Sequence, residues 1–346
     1  MTRGTLYLHV LLCALALGFA WQQAHKEKEK KGGPSSVVLL DAEKGDVTGL
    51  AYTWDKGSTK TVISGKADVR SAVVDVDREI PKKAPPKKKD DHGKEEAPAA
   101  IANEPPPERE AVTIPGGKNV LSAVEAIEPL KTKRTLGVVD DARLDAMGLK
   151  TPLRTLTVTT KKKTLVLELG EQSYGAQGRY ARVKGDNVVH LVDAAIATGL
   201  EGGADTLLEK RVITADLENI AGFSVKSAAK NGAWSHVDKD QVSTRYFAKR
   251  DEPGVKDEAA GKLMTTLRNL RGSKLAAKEV VAALGAVVVS FAVDVDDAGA
   301  IVIDVVERGD VSDDQKSTHV VRVGRWVYEL TATQAKELLD DVEALP

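Results

Sequence analysis

One succession of β-rich runs, turns and short apolar-faced helices passes along this chain twice. That internal duplication limits its architecture more than any single motif does. In the first pass the runs VVLL (37–40), LAYTW (50–54), KTVISG (60–65) and SAVVDV (71–76) alternate with turn signals, and Asp55–Ser58 closes a hairpin. Val120, Val124, Ile127 and Leu130 then recur at helical spacing within Gly116–Lys133, and a second short helix over Ala142–Met147 ends at Gly148. Arg154–Gly170 reads as two strands around the basic turn Lys161–Lys163, with Leu165, Leu167 and Leu169 in alternation. Tyr180–Val183 and Val188–Val192 continue the hairpins. Asp193 is placed to cap a helix running to Leu200, and Gly202–Lys210 supplies another helical turn.

The second pass repeats this order. Phe223–Asp238 is a hairpin carrying Trp234, as the earlier hairpin carries Trp54. Asp257–Leu270 is an amphipathic helix with Leu263, Leu267 and Leu270 on its buried face. Ala277–Gly285 corresponds to Ala142–Gly148, Val287–Val306 to the strand pair from Arg154, and Arg325–Leu330 to Val188–Val192, while Thr331 repeats the cap of Asp193. Gly148 and Gly285 lie nearly as far apart as Leu200 and Leu338. Trp54 and Trp234 are further apart by roughly the length of a Pro-rich segment, with its flanking turns, that interrupts the first copy.

That segment, residues 79–110, holds more than half of the 13 prolines, lysine runs such as KKAPPKKK and almost nothing apolar, so it should be disordered or extended. The expected fold is therefore α+β: two tandem related modules of antiparallel sheet flanked by helices. The first spans residues 37–215 and is interrupted at 79–110, and the second spans residues 216–346.

Ahead of the modules, Gly4–Ala24 has no Asp, Glu, Lys or Arg, and Leu6–Ala20 is almost continuously apolar, which marks residues 1–24 as a membrane anchor or signal segment. The apolar core is short for a span of about 20 residues. Gly18 and Ala20 fit a cleavage site before Trp21, whereas Trp21 equally fits an interfacial anchor. Residues 25–36 are charged, then Gly, Pro and Ser-rich, as a solvated stalk would be. Lysines 26, 28, 30 and 31 favour a cytoplasmic body by the positive-inside rule. The signal-like features favour the opposite side.

Composition narrows the function classes. Fifty basic residues against 51 acidic ones give a net charge of −1, which removes the case for nucleic acid as a partner. Only 4% of residues are aromatic, so aliphatic side chains must fill the cores. The single cysteine, Cys13, lies in the apolar segment and excludes an internal disulfide or thiolate metal cage.

A search for chemistry assigns no catalytic, cofactor-binding or metal-binding residues. The six histidines, 9, 25, 92, 190, 236 and 319, form no H-x-x-x-H or H-E-x-x-H pair. His236 with Asp238 and Asp240 is the nearest approach to a ligand cluster and fits a solvated strand end better. Asp294, Asp296, Asp297 and Gly299 resemble the start of a calcium loop, but Ala298 and Val305 occupy positions that need ligands. Ser227 and Lys230 have the spacing by which a lysine activates a serine, without K-T-G or S-D-N strings to accompany them. Gly170, Gly175 and Gly178 are followed by no G-K-[ST] and read as hairpin turns. Trp54, Trp234, Trp326, Tyr180 and Tyr328 fit strand positions that anchor a sheet–helix interface, with an exposed ligand-stacking role as the alternative.

The strings LDAMGLKTPLRTLTV (144–158), GEQSYGAQGRYARVKGDNVVHL (170–191) and LLEKRVI (207–213) resemble the domain of unknown function 4340 family. The resemblance implies an exported or single-pass envelope protein, associated with auxiliary parts of ABC-type transport systems, in some bacteria linked to gliding motility. It brings no catalytic residues. The expectation is a non-enzymatic binding or scaffolding protein, held in the cytoplasmic membrane through residues 5–24 with its body outside, or secreted to the periplasm after cleavage, and working with protein partners in an envelope complex. An envelope enzyme with a site dispersed in sequence and a ligand-binding module are the alternatives.

Overall fold

A computed structural model describes residues 36–66, 69–80, 108–174, 178–309 and 319–346. The expected anchor, the stalk up to residue 35 and the Pro/Lys-rich stretch from 81 to 107 lie outside the described residues. Among the described residues no helix is long and apolar enough to cross a membrane.

The α+β expectation is corrected: the described residues are mostly antiparallel β, 48% strand against 20% helix, so the helices are accessories to the sheets. The physical cause is local. Helical spacing from Val120 to Leu130 yields only the helix Lys118–Glu125; Pro129, which disfavours helical backbone at the residue before it, separates that helix from Leu130, which begins a two-residue strand. Asp193 accepts the amide of Ala195 at 2.9 Å, but the N-cap position falls at Ala194, without a side-chain cap, and the helix spans only Ala195–Thr198. The helix Asp141–Ala146 stops where Gly148 turns left-handed at φ +67°. Runs of Val and Ile, by contrast, form strands of 12 and 10 residues, Leu284–Val295 and Gly299–Arg308.

In chain order the strands are β1 (Val38–Leu40), β2 (Val47–Trp54), β3 (Gly57–Lys66), β4 (Val69–Glu79), β5 (Arg109–Gly116), β6 (Leu130–Lys131), β7 (Arg134–Val138), β8 (Arg154–Thr160), β9 (Thr164–Gln172), β10 (Gly178–Val183) and β11 (Val188–Asp193). There follow β12 (Ile220–Ser227), β13 (Asn231–Val237), β14 (Tyr246–Lys249), β15 (Lys274–Leu275), β16 (Leu284–Val295), β17 (Gly299–Arg308), β18 (His319–Val323) and β19 (Trp326–Glu329). One sheet pairs β1 with β6; a nine-stranded sheet runs β5-β4-β3-β2-β8-β9-β10-β11-β7, and an eight-stranded sheet runs β14-β13-β12-β16-β17-β18-β19-β15.

With β5 set aside, the two large sheets have corresponding orders: β4-β3-β2-β8-β9-β10-β11-β7 against β14-β13-β12-β16-β17-β18-β19-β15. The helices agree as well, Lys118–Glu125 preceding β7 as Glu258–Asn269 precedes β15, and Asp141–Ala146 preceding β8 as Lys278–Ala282 precedes β16. The tryptophans do not correspond. Trp54 ends β2, whose counterpart is β12, whereas Trp234 lies within β13.

The chain forms two compact units. One comprises the described residues up to Thr59 with Ser122–Glu201, and its strands alternate cleanly: Leu50 and Tyr52, Leu156 and Val158, and Leu167 and Leu169 are buried, with threonines 155, 157 and 159 on the other face of β8. The other comprises Lys60–Leu121 with Gly202–Pro346. In it Phe223, Trp234, Phe291, Val293 and Ile303 pack against Leu263, Met264 and Leu267 of Glu258–Asn269 and Leu338 of Ala332–Glu343. Both of those helices have 12 residues and side-chain caps: Asp257 accepts the amide of Ala260, and Thr331 with Gln334 forms a capping box. A second cluster in this unit joins Ala72, Val74 and Val76 of β4 and Ile114 of β5 to Leu207 and Tyr328.

Candidate functional site

Ser227, Lys230, Asp294 and Asp296 are held in structural roles. Ser227 Oγ accepts the amide of Lys230 at 2.9 Å in a tight turn, while the Lys230 ammonium donates to the carbonyl of Leu345, away from the serine. Asp294 pairs with Arg250 and Asp296 with Lys239; Asp297, at φ +56°, forms the turn between β16 and β17. Among the described residues no three His, Cys, Asp or Glu groups are placed to hold a metal. Gly170 is required by a close approach, since a Cβ there would lie 2.0 Å from the carbonyl oxygen of Met147. Gly175 lies outside the described residues, as do histidines 9, 25 and 92. Tyr328 is buried, while Trp326 is half-buried with the Arg325 guanidinium 4.4 Å from its ring centroid.

In the first unit, side chains from β2, β8 and β10 meet the carboxylate of Glu201. The hydroxyl of Tyr52, which is fully buried, donates to Glu201 Oε1 at 2.5 Å. Arg154 and Arg179 approach the same oxygen at 3.4 and 3.6 Å; Arg154 also pairs with Glu171 at 3.2 Å, and Arg179 donates to the carbonyl of Gly170 at 3.1 Å. Burial and the hydrogen bond to Glu201 push the Tyr52 phenol well above its usual range. Two guanidiniums and two carboxylates offset each other, so this cluster ties strand ends together and leaves no surplus charge.

In the second unit a cavity of about 170 Å³ opens beside β13, β14 and the first turns of Glu258–Asn269. His236 and Phe247, partners in the β13–β14 register, stack with centroids 4.5 Å apart and, with Met264 and Leu217, give it an apolar wall. The Nδ1 of His236 lies 2.9 Å from the carbonyl oxygen of Ile220; a carbonyl only accepts, so this nitrogen carries the proton. Burial lowers the imidazole pKa, and the nearby Arg245 and Lys239 act in the same direction. Asp257 is fully engaged: Oδ2 accepts Trp234 Nε1 at 2.7 Å, and Oδ1 caps the helix at the amide of Ala260, 3.0 Å away. Lys256 and Glu258 pair with each other at 2.8 Å. Arg245 and Arg268 also line the cavity, and neither has a carboxylate partner among the described residues.

Residues 117–286 match the family model described as "Domain of unknown function (DUF4340)". This stretch belongs to that family. No curated protein and no solved structure matches the chain. Every residue lining the cavity lies inside the DUF4340 stretch, as do Arg154, Arg179 and Glu201, whereas Tyr52 precedes it. Sequence reasoning singled out His236 in this region but missed Arg245 and Arg268. No motif joins those two, one just before β14 and the other in the last turn of a helix; only the fold brings them to one cavity.

Proposed function

We propose that this chain is a membrane-tethered binding or scaffolding protein whose body works outside the cytoplasm, as an accessory of an ABC-type transport assembly in the cell envelope. The apolar run Leu6–Ala20 supports the tether, and the family resemblance supports the envelope setting and the transport link. The cavity of the second unit carries the binding part. Its aspartate accepts from Trp234 and Ala260, and its histidine is oriented through Nδ1 by the carbonyl of Ile220. The guanidiniums of Arg245 and Arg268 and the ring of Phe247 line the same cavity and can hold a ligand by charge and stacking.

Three measurements test this. Membrane fractionation of the full chain and of a variant lacking residues 6–20 should show the first retained through an alkaline wash and the second released. Protease should reach the Pro/Lys-rich segment once the outer barrier is opened, and affinity capture from detergent-solubilised membranes should recover transporter subunits. Release of the full chain by the wash, or protection of the segment by the cytoplasmic membrane, would overturn the topology; capture that recovers no membrane complex would overturn the accessory role.

A further inference from the structure

We infer that the cavity beside β14 receives a phosphate group, held by Arg245 and Arg268; this rests on the binding part of the function proposed above and not on the tether. Charge is the first argument. Of the charged side chains lining the cavity, Lys256 and Glu258 form their own pair and the Asp257 carboxylate accepts two hydrogen bonds, which leaves two guanidiniums without a carboxylate partner among the described residues. Two cations at one cavity repel each other, and an oxyanion between them removes that repulsion while accepting from both forks.

Size is the second argument. At about 170 Å³ the space is smaller than the roughly 300–1,000 Å³ of pockets that enclose drug-sized ligands, so it suits a compact head group whose remainder stays outside. The wall is the third. Phe247 and Met264 are buried and His236 nearly so, so water is excluded from one side of the anion and its attraction to the arginines is screened less than at an open surface. The helix N-terminus carries no part of the argument; its cap Asp257 accepts the amide of Ala260.

The phosphate group has two sources, a soluble phosphate or the head group of an anionic lipid beside the tether. Calorimetric titration of the full chain in non-ionic detergent with inorganic phosphate, and separately with glycerophosphoglycerol, the deacylated head group of phosphatidylglycerol, distinguishes them. Saturable binding of either probe is expected, with the tighter probe identifying the source, and each of Arg245→Gln and Arg268→Gln should weaken it about tenfold. Arg245→Lys and Arg268→Lys, which keep the charge and lose the fork, should fall in between, which separates recognition from a loss of fold. No binding of either probe, or equal binding by the Arg245→Gln/Arg268→Gln double variant, would overturn the assignment. Either result leaves the fractionation and capture outcomes as they stand.

Discussion

The two large sheets share a strand order and differ in what closes them. Around the eight-stranded sheet the work is apolar: Trp234, Phe223 and Phe291 pack against two capped 12-residue helices. In the first unit the helices between Ser122 and Glu201 are short, and the end of the sheet is closed by side-chain charge, with Tyr52, Arg154 and Arg179 gathered on Glu201. Apolar closure tolerates a gap at its edge, because its energy is spread over many contacts. A polar closure fails when one member is lost, because the others are left buried without partners. The cavity lies in the apolar half, where the fold does not need every charged group and two arginines have no carboxylate partner among the described residues.

The comparison breaks most directly at Trp234. Its ring is 1% exposed and stacks on Phe223 at 5.1 Å. Trp234→Ala should cost about 3–5 kcal/mol by combined transfer and cavity terms, read as a drop in the denaturant midpoint. Trp234→Phe keeps the stack and loses the bond to Asp257, so it should cost far less; equal losses would mean that the hydrogen bond and not the packing closes this unit.

Glu201→Ala is the corresponding test of polar closure. Arg179, with only 6% of its side chain exposed, would lose its nearest carboxylate and Tyr52 its acceptor. The expected cost is roughly 2–4 kcal/mol, reduced from the fully buried case because the Glu201 side chain is 32% exposed. Tyr52→Phe in the same background should add little, since the hydroxyl then has no acceptor left to lose. A fully additive double variant, measured by urea denaturation, would show that the cluster is not a unit.

A smaller effect separates the caps. Asp257→Ala removes the side-chain acceptor for Ala260 and for Trp234 and should cost about 1–2 kcal/mol. Thr331→Ala breaks the capping box with Gln334 and should cost about 1 kcal/mol, because its side chain caps a helix at an exposed site and supports no core indole. If Thr331→Ala were the more damaging of the two, the bond from Trp234 to Asp257 would contribute nothing.

How much of this was readable from sequence depended on the range of the signal. The hairpins were legible because alternation and turn residues are local: Asp55 and Lys56, within the expected turn, bridge β2 and β3, and Leu167 and Leu169 face inward as their spacing requires. The helix ending at Gly148 was legible, but the one over Val120–Leu130 was overestimated because a 3.6-residue apolar spacing continues beyond Glu125 into the turn before Pro129. The equivalence of Trp54 and Trp234 failed because residue identity is a weaker guide than strand order. The sites were illegible for a different reason. Tyr52 and Glu201 are separated by 149 positions, and pairing them needs the sheet. Arg245 and Arg268 look like ordinary solvated charges until β14 and the helix bring them to one wall.

The weakest expected effect compares one histidine from each half. His190 on β11, 5% exposed, contacts Thr135 Oγ1 at 3.1 Å, and His236 on β13, 8% exposed, bonds to the carbonyl of Ile220. Burial lowers both folded pKa values below the ordinary 6.5. Well above pH 7 both are neutral, folded or unfolded, and their contribution to stability is fully present. As pH falls below about 6.5 the unfolded chain takes up protons that the folded chain refuses, so stability declines until the folded values are passed. His190→Asn and His236→Asn should each flatten the fall in melting temperature between about pH 6.5 and pH 5, by the share of one proton. The two should differ in phosphate: an anion between Arg245 and Arg268 offsets the positive field at His236, raises its folded pKa and shrinks its share of the slope, while His190 keeps its own.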